Sequence, residues 1–191
     1  MAPTPAWGPF AVLTPEASPV TIHSTHPFAE GPRDPARQLR GRLVSPVTLW
    51  TTGDTVERAG ITVSSTEVVR GEPGRLLGLI DPLSGVLDLV RRRGTWVVGV
   101  LSVAERRLSD AFGGLDPAPG GPFALTDWEQ TAWGPRAVTV GTWAGVRLES
   151  ISELGWSALV VGTIESVALD DRTPLAHLRG RYGHWTPGLD A

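Results

Sequence analysis

The sequence predicts a mainly β protein: an antiparallel barrel of six or more strands with short inserted helices. Three observations carry this. Six runs rich in Val, Ile, Thr and Trp, at residues 44–52, 59–69, 75–80, 95–101, 137–151 and 157–169, have strand composition. Helix caps occur at only three short segments, and the runs do not alternate regularly with helices as a doubly wound sheet would require.

Taken in order, residues 1–33 hold Pro3, Pro5, Pro9, Pro15, Pro19, Pro27 and Pro32, too dense for a regular element, and read as an extended N-terminal arm. Wrapping a second subunit and plain disorder are both open for it. Residues 34–191 form the domain. Asp34-Pro35 supplies an N-cap and a proline at the first helical position, and Leu39 with Leu43 gives an i, i+4 apolar pair, so a short helix opens the domain. The first three strand runs follow. Ser84 then caps a helix whose last turn, Arg91-Arg92-Arg93, puts cations where the dipole favours them, and Gly94 ends it. Trp96-Val97-Val98-Gly99-Val100-Leu101 is apolar throughout, as a central strand would be. Ser102-Val103-Ala104-Glu105 is a capping box, and Ala104, Leu108, Ala111 and Phe112 make one apolar stripe before Gly113-Gly114. Residues 113–134, rich in Gly and Pro, are long for a structureless connection and read as a functional loop. Glu153-Leu154-Gly155-Trp156, between two long β runs, reads as a hairpin turn.

Composition removes whole classes of chemistry. The hydrophobic fraction is 41%, the charged fraction 19% and the net charge -3, so neither disorder nor a nucleic-acid partner is expected. No run reaches the roughly 18 apolar residues of a membrane span and the amino end lacks a signal-peptide pattern, so a soluble, cytoplasmic protein is expected. With no cysteine there are no disulfides, thiolates or cysteine-held metals. With no lysine there is no Schiff base or Walker lysine.

Familiar catalytic constellations are missing. Neither Gly-x-Ser-x-Gly nor Gly-x-Gly-x-x-Gly occurs. His23 and His26 lack an acidic partner at metal-ligand spacing, so no metal is expected, and His177 and His184 read as structural. Asp170-Asp171 reads as a turn. In residues 60–65, Gly-Ile-Thr-Val-Ser-Ser, period-2 geometry sends Ile61 and Val63 to one face and Thr62 and Ser64 to the other, while Gly60 allows close backbone approach. Such small hydroxyls suit a polar flat ring or an anion; they equally suit a half-exposed strand.

With its neighbours, this stretch resembles the flavin reductase family of FMN-binding split β-barrel proteins. The matching pieces come in family order: Ser45-Pro46-Val47-Thr48-Leu49-Trp50-Thr51-Thr52; Ala59 to Ser65; Leu77-Gly78-Leu79-Ile80-Asp81 with Ser84; Trp96 to Ser102; Leu108-Ser109-Asp110-Ala111-Phe112; Val160 to Ile164; and Pro174-Leu175 with Arg179-Gly180-Arg181-Tyr182. The resemblance implies a split barrel that holds FMN, or FAD as the alternative, in a homodimer with the flavin near the subunit interface. Thr51, Thr52, Gly60, Ile61, Thr62, Val63, Ser64 and Ser65 would line the ring and ribityl chain. Ser84, opening a helix, would meet the phosphate, where helix-terminal amides favour anions. Phe112, Trp156 and Ser157 would border the nicotinamide side. Family members pass hydride from NADH or NADPH to the flavin and supply reduced flavin to a partner monooxygenase, so the cofactor carries the chemistry. Where the family often has Gly-Asp-His, this chain has Gly155-Trp156-Ser157. That departure favours the alternative of a flavin- or ligand-binding barrel without NAD(P)H turnover, acting as carrier, sensor or interaction module.

Overall fold

The computed structural model describes residues 35–184. The expected N-terminal arm therefore lies outside the described residues. The elements run in the order α1 (Pro35–Arg40), β1 (Ser45–Pro46), β2 (Thr48–Gly53), β3 (Arg58–Val63), β4 (Glu67–Val69), β5 (Arg75–Ile80), α2 (Gly85–Arg93), β6 (Thr95–Val100), α3 (Arg106–Phe112), β7 (Trp128–Gln130), β8 (Pro135–Ala137), β9 (Trp143–Leu154), β10 (Ser157–Ala168), β11 (Leu175–Leu178) and β12 (Arg181–His184). Every pairing is antiparallel. Seven strands form one sheet in the order β3-β2-β6-β9-β10-β5-β4; β1, β11 and β12 form a second, and β7 with β8 a third.

The large sheet curls so that its two end strands, β3 and β4, are neighbours in the chain. They are joined by residues 64–66, and Ser65 stitches the ends together: its hydroxyl donates to the Leu79 carbonyl at 3.0 Å and accepts from the Leu79 amide at 3.1 Å. One side chain thus reproduces a ladder pair where the backbone ladder is interrupted. Residues 59–69, expected as one strand, are broken here because Thr66 turns inward, 2.7 Å from the Thr48 hydroxyl and 3.2 Å from the Trp50 indole nitrogen.

Inside the barrel Trp50 and Trp96 stack with centroids 5.3 Å apart and planes 22° apart, both fully buried. Glycines make room for them. A Cβ on Gly78 would lie 2.7 Å from the Trp50 ring, and one on Gly162 would meet the Trp96 ring and lie 2.5 Å from the Arg147 carbonyl. Helix α2 contributes Val86, Leu87 and Val90 to the same core. Its caps are those expected: the Ser84 hydroxyl accepts from the Val86 amide, and Gly94 is left-handed. On the barrel's outside, Val47, Leu49, Leu101, Leu108, Phe112 and Leu175 form a second core, which seats α3 and the small sheet. Three backbone bonds tie this layer down: Val47 to Leu175, Leu101 to Val47 and Leu175 to Leu101.

Other differences from expectation have local causes. Residues 44–52 divide at Val47, whose backbone serves the three-way tie just described. Residues 138–142 are not strand: Arg172 and Asp170 pack over Gly141, and the Thr142 hydroxyl bonds the Asp170 carboxylate at 2.8 Å. Strands β11 and β12 were not expected at all; they turn at Arg179-Gly180, where both residues have positive φ, 51° and 76°. Within residues 113–134 the chain makes a short 3-10 turn at Pro122–Leu125 and then β7. Among the described residues no helix is long and apolar enough to cross a membrane.

Overpacking predicts that Gly162→Ala lowers stability by about 1–3 kcal/mol in urea unfolding. Gly85→Ala, where an added Cβ meets nothing within 4 Å, should leave it unchanged or raise it by up to about 1 kcal/mol. Equal midpoints for the two variants would show that the tryptophan stack does not need the glycine.

Candidate functional site

The hydroxyls of the split strand divide between interior and surface. Thr51 and Thr52 are buried at 2% and 0% exposure and donate to the Pro135 and Thr95 carbonyls, at 2.5 and 2.7 Å, so Thr51 ties the barrel to β8 and Thr52 ties β2 to the start of β6. Ser65 is the closure stitch on Leu79. Ile61 and Val63 face the barrel core, as alternation requires. Gly60 does allow close approach, but by Phe112: a Cβ there would lie 2.5 Å from its ring. Phe112, expected to border a nicotinamide, is itself 6% exposed, edge-on to Phe123 at 4.9 Å and Trp128 at 5.8 Å. Thr62 and Ser64 are the two that point into open space.

The space they face is a cleft of about 130 Å³. Strand β3 contributes Thr62, the segment after it Ser64, α3 contributes Ser109, and the β11–β12 hairpin brings His177 and Tyr182 across from them. Each wall is fixed. At the start of α3, the buried Glu105 carboxylate accepts from the Ser102 amide at 2.8 Å, the Ser102 hydroxyl at 2.6 Å and Arg172 at 3.0 Å, which completes the expected capping box and anchors it to the far side of the chain. Thr62 donates to the Ser109 carbonyl at 2.8 Å, locking β3 to α3. Tyr182 donates to Asp110 at 2.7 Å and lies 3.0 Å from the Ser109 hydroxyl, which locks β12 to α3. Arg106 sits over the Tyr182 ring at 5.1 Å and 3.8 Å from Asp110. The His177 ring meets Tyr182 edge-on at 5.7 Å, so the residue read as structural stands in the cleft wall. At the mouth, Arg40 reaches the Ser64 hydroxyl at 3.4 Å.

A second group of residues gathers beside this cleft. Ser65 bonds Leu79; the next residue, Ile80, pairs with Ala158; and Ala158 follows Ser157 at the tip of the β9–β10 hairpin. Four residues beyond Ile80, Ser84 opens α2 with its hydroxyl accepting from the Val86 amide at 3.2 Å, which leaves its own proton to donate. Asp81, on the same turn, is directed back to the Leu83 amide at 2.9 Å. Leu83, the residue before Ser84, and Trp156, at the hairpin tip, are 93% and 89% exposed. The exits of β3 and β5, the start of α2 and the hairpin tip with Trp156 and Ser157 thus occupy one end of the barrel. Among the described residues no group of three His, Asp or Glu is placed to hold a metal.

Sequence reasoning assigned no role to Ser109, Asp110 or Tyr182. Tyr182 being the chain's one tyrosine was the available signal.

Residues 40–186 match the family described as flavin reductase like domain. The chain is 33% identical over 102 residues to an FMN reductase (NADH) RutF of Ancylobacter novellus, covering 53% of this chain and 56% of that protein. It is 24% identical over 156 residues to the reductase component of 4-nitrophenol 4-monooxygenase/4-nitrocatechol 2-monooxygenase from Rhodococcus opacus, covering 81% and 82%. It spans about half the length of the RutF relatives it matches. Among solved structures, the NADH:FAD oxidoreductase of Streptomyces globisporus C-1027, in complex with NAD and FAD fragments, superposes with a TM-score of 0.73 at 20% identity over 81% of this chain and 93% of that one. A nitrilotriacetate monooxygenase component B from Mycobacterium thermoresistibile gives 0.73 at 21% identity, over 82% and 88%. These structural likenesses establish the fold.

Burial holds the Tyr182 phenol above its ordinary pKa; the Asp110 carboxylate adds to this, and the hydrogen bond with Ser109 and the charge of Arg106 oppose it. The folded state therefore binds this proton more tightly than the unfolded chain. Its contribution to stability is fully present below about pH 10 and is lost as pH rises from there through the folded value. With one tyrosine and no cysteine or lysine, no other side chain titrates in that window. The thermal midpoint should fall above about pH 10 in the wild type and stay level in Tyr182→Phe; parallel profiles would refute the assignment.

Proposed function

We propose that this chain, which belongs to the flavin reductase like domain family, is an NAD(P)H-dependent flavin reductase that binds FMN and supplies reduced flavin to a partner monooxygenase. The family match across residues 40–186 carries the reading. The printed names of the RutF relatives support FMN and NADH, the NADH:FAD oxidoreductase keeps FAD as the alternative, and the Rhodococcus reductase component supports the monooxygenase partner. NADH and NADPH both remain candidates for the donor.

The side chains present suit a flavin. Thr62 and Ser64 offer hydroxyls and strand amides to a polar ring edge, and Ser84 offers its proton and the start of a nine-residue helix to a phosphate. A cleft of about 130 Å³ is small beside the roughly 300 Å³ at the lower end of ligand sites, so one chain encloses part of a three-ring cofactor. A homodimer, with the exposed Leu83 and Trp156 beside a second subunit, would supply the remaining wall. A flavin held by Thr62, Ser64 and Ser84 would supply the redox chemistry, as the hydride acceptor from a nicotinamide. What these residues do is hold the ring edge, anchor the phosphate and keep water from the reacting face. No acid–base constellation is needed for such a transfer. A cytoplasmic location belongs to the same proposal, since it supplies NAD(P)H.

One observation favours a second reading, a flavin-binding barrel without NAD(P)H turnover: Gly155-Trp156-Ser157 presents an exposed indole where the family resemblance leads one to expect Gly-Asp-His. A single set of measurements separates the two. The purified protein should bind FMN or FAD at micromolar concentration and oxidise NADH or NADPH in its presence. Bound flavin with no nicotinamide oxidation would select the second reading, and no flavin binding would overturn both. Ser84→Ala should weaken FMN binding several-fold and leave riboflavin, which has no phosphate, unaffected; loss of the N-cap also lowers stability by about 1 kcal/mol. An equal effect on FMN and riboflavin would remove Ser84 from the phosphate site.

A further inference from the structure

The hydrogen-bond polarity of the cleft floor is fixed by valence. A phenol has one proton and two lone pairs, and an ionised carboxylate only accepts. Tyr182 therefore gives its proton to Asp110, 2.7 Å away. Its contact with Ser109 at 3.0 Å must then run the other way, with the Ser109 hydroxyl donating to the Tyr182 oxygen. One Tyr182 lone pair is left for the cleft. The Thr62 hydroxyl is in the same position: its proton goes to the Ser109 carbonyl at 2.8 Å, so its oxygen can only accept from the cleft. Arg106 stands 3.8 Å from the other oxygen of that carboxylate, on the side away from the phenol's proton. Two hydroxyls that could serve either role are both held as acceptors by bonds made within the protein.

From this we infer that Tyr182 and Thr62 recognise an N–H donor at the edge of a planar ligand, and that Asp110 is the positioning residue that sets Tyr182 as acceptor. The chemical class is an amide or imide attached to a flat ring. Resting on the flavin reductase reading, two ligands carry that group: the flavin, at its N3 imide, and the nicotinamide, at its carboxamide. A carbonyl edge would meet lone pairs and be rejected, since an acceptor that the ligand covers and leaves without a donor costs about 1–3 kcal/mol, roughly 5- to 150-fold in affinity.

The test compares ligands that differ in this group alone. FMN is paired with N3-methyl-FMN, read by quenching of flavin fluorescence on binding. NADH is paired with reduced 3-acetylpyridine adenine dinucleotide, whose methyl ketone replaces the carboxamide, read as kcat and KM. The wild type should prefer the N–H member of one pair about tenfold or more, and the pair that responds names the ligand seated on Tyr182. In Tyr182→Phe the preference should fall to within about twofold. Asp110→Asn should do the same with Tyr182 present, because the new amide can donate to the phenol oxygen and release its proton to the cleft. For the nicotinamide pair the change should sit in KM rather than kcat, as binding lost equally from ground and transition states does. Each preference is a ratio within one protein, so a general loss of fold or affinity cancels. No preference in the wild type for either pair, or ratios unchanged in both variants of an active enzyme, would overturn the inference alone. A wild type that binds no flavin and oxidises no nicotinamide would overturn the functional reading and the inference together.

Discussion

The stacked pair of buried tryptophans, Trp50 against Trp96, is the constraint around which the rest of the domain is arranged. Two indoles need more room than opposing strands normally leave, and Gly78 and Gly162 provide it by removing the side chains beneath them. They also bring polar nitrogens into an apolar core, where an unmet donor is costly. For Trp50 the donor is met by Thr48 and Thr66, each at 3.2 Å. Trp96 Nε1 has no hydrogen-bond partner among the described residues. Thr66 can reach Trp50 only if the chain leaves the β3 line after Val63. That departure breaks the expected strand, brings Ser65 onto Leu79 and leaves Ser64 on the outside. The edge of the candidate site is thus a consequence of how the barrel interior is satisfied.

Around that edge the protein supplies position and polarity and little reactive chemistry. The walls are drawn from β3, α3 and the β11–β12 hairpin, locked to each other by Thr62, Ser109, Asp110 and Tyr182. Rigid elements hold a planar ring better than loops do, and a cofactor that itself carries hydride asks for nothing more. The cleft encloses a small volume, and Leu83 and Trp156 are exposed.

Much of the fold was legible in the sequence because it is written in local terms. Val/Ile/Thr/Trp runs, the Ser84 cap, the Ser102 to Glu105 capping box and Gly94 each act within a few residues; the caps stand where they were expected, and strands lie within every run, three of the runs being interrupted. The short β11 and β12 were hidden: four residues each, turning at an arginine with positive φ, they carry no hairpin signature. The candidate site was legible only in part. Residue type says that Thr51, Thr52 and Ser65 need hydrogen-bond partners, but not that those partners are carbonyls on strands far away in sequence. Gly60 announced a close approach without saying that Phe112 makes it. Tyr182 and Asp110 meet only after the whole barrel has closed, so no window of sequence contains their bond.

Hydrogen–deuterium exchange with and without FMN tests most directly whether a flavin is held at this end of the barrel. Binding there should slow exchange together in two segments remote in sequence, residues 62–66 at the exit of β3 and residues 81–86 at the start of α2. Exchange around the exposed Arg147–Glu165 pair on β9 and β10 should stay unchanged. Unaltered exchange in both segments at saturating FMN, or protection confined to residues elsewhere, would contradict a flavin site built from the exits of β3 and β5.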